Sequence, residues 1–292
     1  MKLLAKFTLV FVLVFGIGGT VAAYFSYRFL RDDARDQVLQ QARLMMETML
    51  SARNYTSQQI KPLLVTEQER QHAFLPQTVP AYAATESFNY LRKKYPDYAY
   101  KEATLNPTNP RDRAADWEAD IINSFRNSPD QREVIGQRST PTGESLFLAQ
   151  PIRSPQPCLD CHDTAQRAPE AMVSRYGAAN GFGWHPNEIV GAQIVSVPFS
   201  VPAAMADRAF RNLMTSLSII ALVSLAVLDL LLLFTIVRPV ARLSTMADQA
   251  SLGNLEVPEL PVTGQDEISI LAGSFNRMRR SLVSALKMLE GH

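Results

Sequence analysis

The pentapeptide Cys158-Leu159-Asp160-Cys161-His162 contains both cysteines of this 292-residue chain. Two thiols separated by two residues, with a histidine directly after the second, match the pattern that attaches haem in c-type cytochromes. Each thiol adds to one vinyl group of the porphyrin, and the adjoining histidine becomes the proximal ligand of the iron. The motif therefore predicts one covalently bound haem c per chain, anchored by Cys158 and Cys161, with His162 on the iron.

Three other structures also use closely spaced cysteines. A disulfide between Cys158 and Cys161 would leave His162 without a role. A zinc site requires a further ligand, and no second cluster of cysteine or histidine lies nearby in the sequence. A thioredoxin-like redox pair is set in a βαβ unit and does not need the histidine. Haem attachment is the interpretation that accounts for all three residues.

The predicted haem also indicates a compartment. Haem c is attached after export, so we expect residues near position 160 to lie outside the cytoplasm, in a Gram-negative periplasm or its equivalent. The chain has 29 basic and 28 acidic residues and a net charge of +1. This balance gives no indication of the basic surface that nucleic-acid-binding proteins use.

Two apolar segments, residues 7–27 and residues 213–237, are each long enough to cross a lipid bilayer. The first is longer than the apolar core of a signal peptide and precedes no clear A-x-A cleavage site, so we expect an uncleaved anchor. Asp229 interrupts the second, either as a functional group or because it lies near the headgroups or in a helix interface. With the haem outside, residues 28–212 are expected outside the membrane and both termini inside.

The exported segment is expected to begin as a helix, because no proline or glycine occurs between residues 20 and 61. One apolar face of this helix follows alternating spacings of four and three residues: Val38, Ala42, Met45, Met49 and Ala52. Met46 is expected on an adjacent face, and Pro62 is expected to end the helix.

Later segments predict a mixture of helix and strand. Residues 110–127 are expected to form a helix that Asn109 caps. Its apolar side consists of Trp117, Ile121 and Phe125. Residues 145–152 and 189–197 have the composition of β-strands, and Gly181-Phe182-Gly183-Trp184 is expected to form a tight turn. A long first helix followed by mixed helix and antiparallel sheet predicts an α+β sensor-like module.

A more specific resemblance rests on the haem pentapeptide and on seven further motifs: Ala52-Arg53-Asn54-Tyr55, Leu105-Asn106-Pro107, Asn109-Pro110, Trp117-Glu118, Tyr176-Gly177, Gly181-Phe182-Gly183-Trp184 and Val190-Gly191-Ala192-Gln193. These stretches are similar to a family of periplasmic haem-c domains with a PAS-like fold, and the resemblance covers most of residues 35–200. It implies that the pentapeptide holds the haem against the sheet and the first helix. It also implies contacts of Arg53, Tyr55 and Trp184 with the propionates or the face of the haem.

The sixth ligand of the iron is left open by this resemblance. Some members of the family use a cysteine of the first helix, but this chain has no third cysteine. Met49 or Met45 is a candidate, since His/Met ligation is common in haem c proteins, although a methionine stripe is more often core packing. His72 and His185 are weaker candidates, and His292 is on the wrong side of the membrane. An empty sixth position would bind small gases.

Residues after the second span contain two amphipathic helices separated by a polar connector. The first begins near Pro239, and its apolar seam consists of Val240, Leu243, Ala247 and Ala250. Gly253-Asn254-Leu255 breaks this pattern, and Asp266-Glu267-Ile268 begins the second helix. The second seam consists of Ile268, Leu271, Phe275, Met278, Leu282, Ala285 and Leu289. This arrangement resembles a HAMP domain, with Ser269 in the position of the usual glycine.

One such pair of helices cannot bury both seams alone, so the resemblance implies a homodimer that forms a parallel four-helix bundle. An amphipathic tail on the membrane surface would explain the second helix but not the paired heptads. Three residues follow the last heptad position. Either a separate cytoplasmic signalling partner receives the signal, or this chain is not a complete receptor.

These observations predict a two-pass protein of a bacterial inner membrane. Its expected parts are a transmembrane helix in residues 1–29, a periplasmic haem-c domain with a PAS-like fold in residues 30–210, a second transmembrane helix in residues 211–237 and a HAMP domain in residues 238–292. We expect a sensor of redox state or of a small gas. The alternative is a membrane-tethered electron carrier, which needs no dimeric relay. A single haem without an evident acid–base constellation argues against an enzyme.

Overall fold

The computed structural model describes residues 3–254, 256–262 and 264–290. Residues Arg28–Ala209 form one compact unit, called the mixed unit below because it combines helices with a sheet. The described residues before and after it form the second, helical unit. Leu255 and His292 lie outside the described residues, as does the side chain of Leu289.

The chain begins with helix α1 at Leu3–Tyr55, and a π-helical turn at Thr56–Ile60 connects it directly to α2 at Lys61–Gln71. The first apolar segment thus continues as a helix, as predicted. The prediction that Pro62 ends the helix is wrong. A proline offers no amide to the carbonyl four residues earlier. The π-helical turn, in which the Lys61 amide donates to the Thr56 carbonyl, accommodates that loss.

Four strands form one antiparallel sheet in the order β1-β4-β3-β2. The strands are β1 at Ala99–Thr104, β2 at Val134–Thr140, β3 at Gly143–Arg153 and β4 at Ile189–Pro198. The two predicted strands lie within β3 and β4, which are central in the sheet and apolar enough to be recognised. The edge strands β1 and β2 are not among the predicted ones, because polar residues interrupt both.

Each face of the sheet packs against different helices, because successive side chains of a strand point to opposite faces. On one face, α1 and α3 at Pro80–Arg92 pack on a cluster that includes Met46, Phe88, Leu146, Leu148, Val195 and Val197. On the other face, α4 at Asp116–Asn127 packs on a cluster that includes Ile121, Ile122, Phe125, Ala149, Ala192 and Ile194. The mixed unit is therefore an α+β domain with an apolar core on both sides of its sheet.

The buried face of α1 differs from the predicted one at a methionine. Its buried residues are Ala34, Val38, Ala42, Met46 and Met49. The prediction that Met45 belongs to this face and Met46 to an adjacent one is wrong, since Met46 is fully buried whereas Met45 is only partly buried. Each step of four residues turns the stripe by about 40° around the helix, so the buried face moves from Ala42 to Met46.

The predicted helix at residues 110–127 is divided in the structure. Asn109 caps a short 3₁₀ turn at Pro110–Asp112, where its Oδ1 accepts the Arg111 amide at 3.2 Å. α4 begins only at Asp116, where the Glu118 carboxylate accepts the amide of the preceding alanine, Ala115, at 2.8 Å. The sequence thus contains two successive cap signals, and each begins its own element.

Two short helices, α5 at Gln156–His162 and α6 at Glu170–Tyr176, lie in the connection from β3 to β4. After the sheet, α7 at Ser200–Leu232 continues through a π-helical turn at Leu233–Val237 into α8 at Arg238–Ser251. The turn again comes two residues before a proline, Pro239. The described helical stretches Leu3–Gln68 and Ser200–Ser251 each contain a segment long and apolar enough to cross a membrane. Near the end of the second such segment, the Asp229 carboxylate lies 3.0 Å from the Thr8 hydroxyl of α1.

The last helix, α9 at Glu267–Glu290, packs with α8 and with the connector between them. Their shared cluster consists of Met246, Val257, Leu260, Ala272 and Phe275. The Asn276 amide donates to the Leu260 carbonyl at 2.9 Å and accepts its N–H at 3.0 Å, which ties the connector to α9. Asp266 Oδ1 accepts the Ser269 amide at 2.7 Å and caps α9.

Candidate haem-attachment site

The haem pentapeptide ends a short helix, α5, at Gln156–His162, in the connection from β3 to β4. The helix follows Pro155, whose carbonyl accepts the Cys158 amide at 2.9 Å. Residues three and four apart share a face of a helix, so Cys161 and His162 lie on the same side of α5 as Cys158. Both cysteines are free thiols and partly exposed. Two thiols and an imidazole on one helical face fit the donor set that haem c requires.

The imidazole of His162 is held in one tautomer. Its Nδ1 lies 2.7 Å from the Gly181 carbonyl oxygen, which accepts hydrogen bonds but donates none. Nδ1 therefore carries the hydrogen, and the neutral ring leaves the lone pair of Nε2 available to a metal. Burial lowers the pKa of His162, against the opposing effect of this hydrogen bond, and so favours the neutral ring.

A glycine-rich turn packs against α5 and carries a second contact to the imidazole. The Gly183 amide donates to the Asp163 carbonyl at 2.8 Å, and the Trp184 amide donates to the His162 carbonyl at 3.2 Å. The Trp184 indole stacks on the His162 ring, with centroids 4.0 Å apart and 12° between the planes. The same turn thus fixes the tautomer of His162 and the plane of its ring.

Gly181 is required at its position by both backbone conformation and space. Its φ of +86° lies in the left-handed region that favours glycine. A Cβ at this position would collide with the side chain of Thr108. The Gly181 amide donates to Asn106 Oδ1 at 3.2 Å, so the segment after β1 also holds the turn. The structure therefore brings three of the motifs that carried the resemblance into one site.

Arg53 of α1 connects the first helix to this region. Its guanidinium forms an ion pair with Glu102 of β1, which is almost fully buried. Tyr100 donates to the second oxygen of that carboxylate at 2.7 Å. Burial raises the pKa of the Cys158 thiol, and the positive charges of Arg53 and Lys61 oppose that rise. Arg53 and Lys61 therefore lie close enough to the haem motif to influence its charge.

The other predicted residues lie in different environments. Tyr55 ends α1 and is 59% exposed. Met49 belongs to the core cluster between α1 and the sheet, and Met45 packs against that cluster from outside. His72 follows α2 with a φ of +46°. The His185 carbonyl accepts the Ser154 hydroxyl, a contact within the turn region rather than with His162.

Sequence reasoning missed Lys61 and Glu102 as neighbours of the site. The sequence could have indicated a role for Glu102. This residue shares a strand face with Tyr100, and a charged side chain in a half-buried strand is rarely left without a partner. Lys61 gave no signal, since it was expected at the very end of the first helix, where a lysine is an ordinary residue.

Comparison with known proteins gives two family matches. The model of the Tll0287-like family matches residues 31–198, and the HAMP domain model matches residues 231–284. One similar solved structure is the crystal structure of the cyanobacterial heme-protein Tll0287. It is 14% identical over 55% of this chain and 94% of that chain, with a TM-score of 0.43. No curated protein matches the chain. Because the first match spans more than half of its length, this chain belongs to the Tll0287-like family and carries a HAMP domain after that region.

Proposed function

We propose that this chain is a membrane-anchored haem-c sensor that responds to redox state or a small gas and passes a conformational signal through its HAMP domain. The observation that carries this proposal is the environment of His162, whose Nδ1 is bonded to the Gly181 carbonyl while two free thiols share its helical face. The relative Tll0287 is itself described as a heme-protein. A HAMP domain next to such a domain favours signalling over catalysis.

In this proposal Cys158 and Cys161 hold the haem covalently. Each sulfur would bond to one vinyl carbon while the thiol hydrogen would go to the neighbouring carbon, an addition that needs no oxidant. His162, oriented by Gly181 and Trp184, would hold the iron through Nε2. Bound haem supplies an iron that changes charge on reduction and accepts small ligands.

We place the distal side of the haem at α1. Met49 lies one turn before Arg53 on the same side of this helix, and Arg53 is close to Cys158. Met49, or Met45 one turn earlier, is the proposed sixth ligand. Arg53 and Tyr55 are proposed to contact the propionates. A fixed guanidinium suits that role because it pairs with carboxylates through two parallel donors.

The proposed relay follows two continuous helical paths. α1 is one continuous helix from Leu3 to Tyr55, so Arg53 and the proposed first membrane segment belong to the same helix. Arg31 of α1 also forms an ion pair with Asp207 of α7. The Nη2 atom of Arg31 lies 3.1 and 3.2 Å from the two carboxylate oxygens of Asp207. α7 then leads through the π-helical turn into α8. A change in iron ligation is thereby coupled to both membrane segments.

The proposed topology follows the expected domain boundaries. Residues 30–210 form the periplasmic domain, whose sheet we interpret as PAS-like, between transmembrane helices in residues 1–29 and 211–237 of a bacterial inner membrane. Residues 238–292 form the cytoplasmic HAMP domain. Within α9, Leu271, Met278 and Leu282 of the predicted seam are about half exposed. A second copy of the chain would cover them in a four-helix bundle.

The proposal is tested by purifying the full-length protein in detergent. Denatured protein should retain haem on a gel, and the variant Cys158→Ser/Cys161→Ser should lose it. Extraction of the haem from wild-type protein by acid acetone would contradict the assignment. A ferrous spectrum recorded with and without carbon monoxide then distinguishes a six-coordinate iron from one with an open position. Rapid electron exchange with a quinol-linked complex, with no change in the HAMP domain, would favour the electron carrier.

A further inference from the structure

A pocket lies in the mixed unit beside the edge strand β1, between α3 and the start of α4. Its volume is about 310 Å³, which would hold roughly ten water-sized groups. Its floor is formed by side chains of β1 and β4: Ala99, Lys101, Ile194 and Ser196. Trp117 and Glu118 at the start of α4 form one wall. Thr85, Asn89 and Arg92 of α3 form another, together with Arg111 and Asp112.

The charge of this pocket is positive after its internal ion pairs are taken into account. Four basic residues and two acidic residues line it. Lys101 pairs with Glu118 at 2.6 Å, and Arg111 pairs with Glu86, a neighbour on α3, at 2.5 Å. Among the described residues, no carboxylate lies within ion-pair distance of Arg92 or Arg138. Two cations therefore remain for a ligand.

Arg138 is held in place before any ligand arrives. Its guanidinium lies 4.2 Å from the centroid of the Trp117 ring, which itself packs on Phe147 of β3. When a guanidinium stacks on an indole, its N–H donors still point outward in the plane of the guanidinium. A carboxylate can then accept two of these N–H groups at once. Because the side chain is already ordered, binding loses less conformational entropy.

We propose that this pocket binds a small organic carboxylate, with Arg138 as its main anchor and Arg92 as a second cation. The site is distinct from the haem pentapeptide, and no residue is shared between them. The proposal therefore does not rest on haem binding. Ser196, Asn89 and Thr85 would supply uncharged hydrogen-bonding groups around the remainder of the ligand.

Asp112 gives this site a dependence on pH. Its side chain lies in the pocket wall and faces Arg111 at 3.6 Å, with Lys101 and Glu102 of β1 also acting on it. Burial and the negative charge of Glu102 raise the pKa of Asp112 to about 6, although Arg111 and Lys101 oppose the rise. An ionised Asp112 repels a carboxylate. For a ligand whose own charge does not change in this range, affinity should therefore fall about three- to tenfold as the pH rises from about 5 to about 8.

The test is calorimetric titration of the full-length, detergent-solubilised protein with sodium succinate at about pH 5. We expect saturable heat with succinate and none with the uncharged analogue succinamide. Arg138→Gln should weaken binding about tenfold or more. Arg153→Gln is the matched control, because Arg153 lies outside the pocket and donates to the Pro129 carbonyl. It should bind succinate as the wild type does.

Two further variants keep the test decisive if Arg138→Gln folds poorly. Asp112→Asn should bind succinate at high pH as well as at low pH. Cys158→Ser/Cys161→Ser should still bind it, which separates this site from the haem proposal. Absence of saturable heat with wild-type protein would overturn the inference, as would unchanged binding in a folded Arg138→Gln variant. Equal binding of inorganic phosphate would overturn the assignment of the ligand as a carboxylate.

Discussion

The imidazole of His162 lies parallel to the indole of Trp184, with 4.0 Å between the ring centroids. The carbonyl that accepts the hydrogen of His162 Nδ1 belongs to Gly181, three residues before Trp184. One short turn therefore sets both the tautomer and the orientation of the proposed iron ligand. Such a partner behind a metal-binding histidine is known to strengthen ligation.

Trp184→Ala should leave the haem covalently attached but loosen the proximal ligand. Because Cys158 and Cys161 are untouched, haem staining after denaturation should match the wild type. Without the stacked indole, the absorption spectrum should show a larger high-spin fraction. Trp184→Phe, which retains an aromatic ring, should restore the wild-type spectrum. A Trp184→Ala spectrum identical to the wild type would show that the stacking does not position His162.

Met49→Leu tests the distal ligand. Leucine conserves the volume of methionine, so packing should change little while the thioether sulfur is lost. If Met49 binds the iron, the near-infrared sulfur-to-iron band of the oxidised protein should disappear. The reduction potential should fall, and carbon monoxide should bind. The matched control is Met46→Leu, because Met46 is fully buried in the same helix.

The opposite result has a clear meaning in this series. A wild-type spectrum without that band, unchanged by Met49→Leu and Met45→Leu, would assign Met49 and Met45 to core packing. A histidine or an open position would then occupy the distal side.

Asp112→Asn should stabilise the mixed unit at high pH. The pKa of Asp112 is raised from 3.8 to about 6 in the folded protein, so ionising it above pH 6 costs about 1–3 kcal/mol. Below pH 3.8, the pKa of Asp112 in the unfolded chain, the folded and unfolded states both hold the proton and this cost disappears. The gain from the asparagine should therefore be present at about pH 8 and vanish near pH 4. Thermal unfolding followed by near-ultraviolet circular dichroism measures it. An equal gain at both pH values would contradict the assignment.

Thr8→Val tests the contact between the two apolar helices. The Thr8 hydroxyl lies 3.0 Å from both oxygens of Asp229, whereas the Thr20 hydroxyl bonds only the Gly16 carbonyl of its own helix among the contacts of the described residues. Removing the Thr8 hydroxyl should destabilise the helical unit by about 0.6 kcal/mol, with an upper range near 1.7 kcal/mol. Thr20→Val should have a smaller effect. Urea unfolding in detergent measures the free energy of unfolding of both variants. Equal losses would show that the contact between Thr8 and Asp229 does not stabilise the helical unit.

The central strands and the HAMP domain were predictable because their apolar patterns are continuous. β3 and β4 are buried on both faces, and α9 repeats its apolar residues at heptad spacing. The edge strands carry polar residues on one face or at one end, so their pattern is weak. The continuation of α1 past Pro62 depends on a π-helical turn, a backbone adjustment for which the sequence offers no simple signal.

The sequence predicts a chemistry for the site, which stays a prediction, but it does not predict the geometry of the site. The spacing of Cys158, Cys161 and His162 indicates haem without any fold. The partners of His162 come from a turn nineteen residues later in the chain. Its composition predicted a turn, but only the resemblance related that turn to the haem. Glu102 is further away still in the sequence, and the packing of α1 on the sheet brings it beside Arg53.

The relay from haem to HAMP is tested most directly by crosslinking in native membranes. Leu282→Cys places a thiol on the exposed seam of α9, and Arg280→Cys places one off the seam as control. A bismaleimide is used, since it reacts without an oxidant. Leu282→Cys dimers should form with different yields in oxidised and dithionite-reduced membranes. This difference should vanish in a Cys158→Ser/Cys161→Ser background. Identical yields in both redox states of haem-loaded protein would contradict the proposed relay.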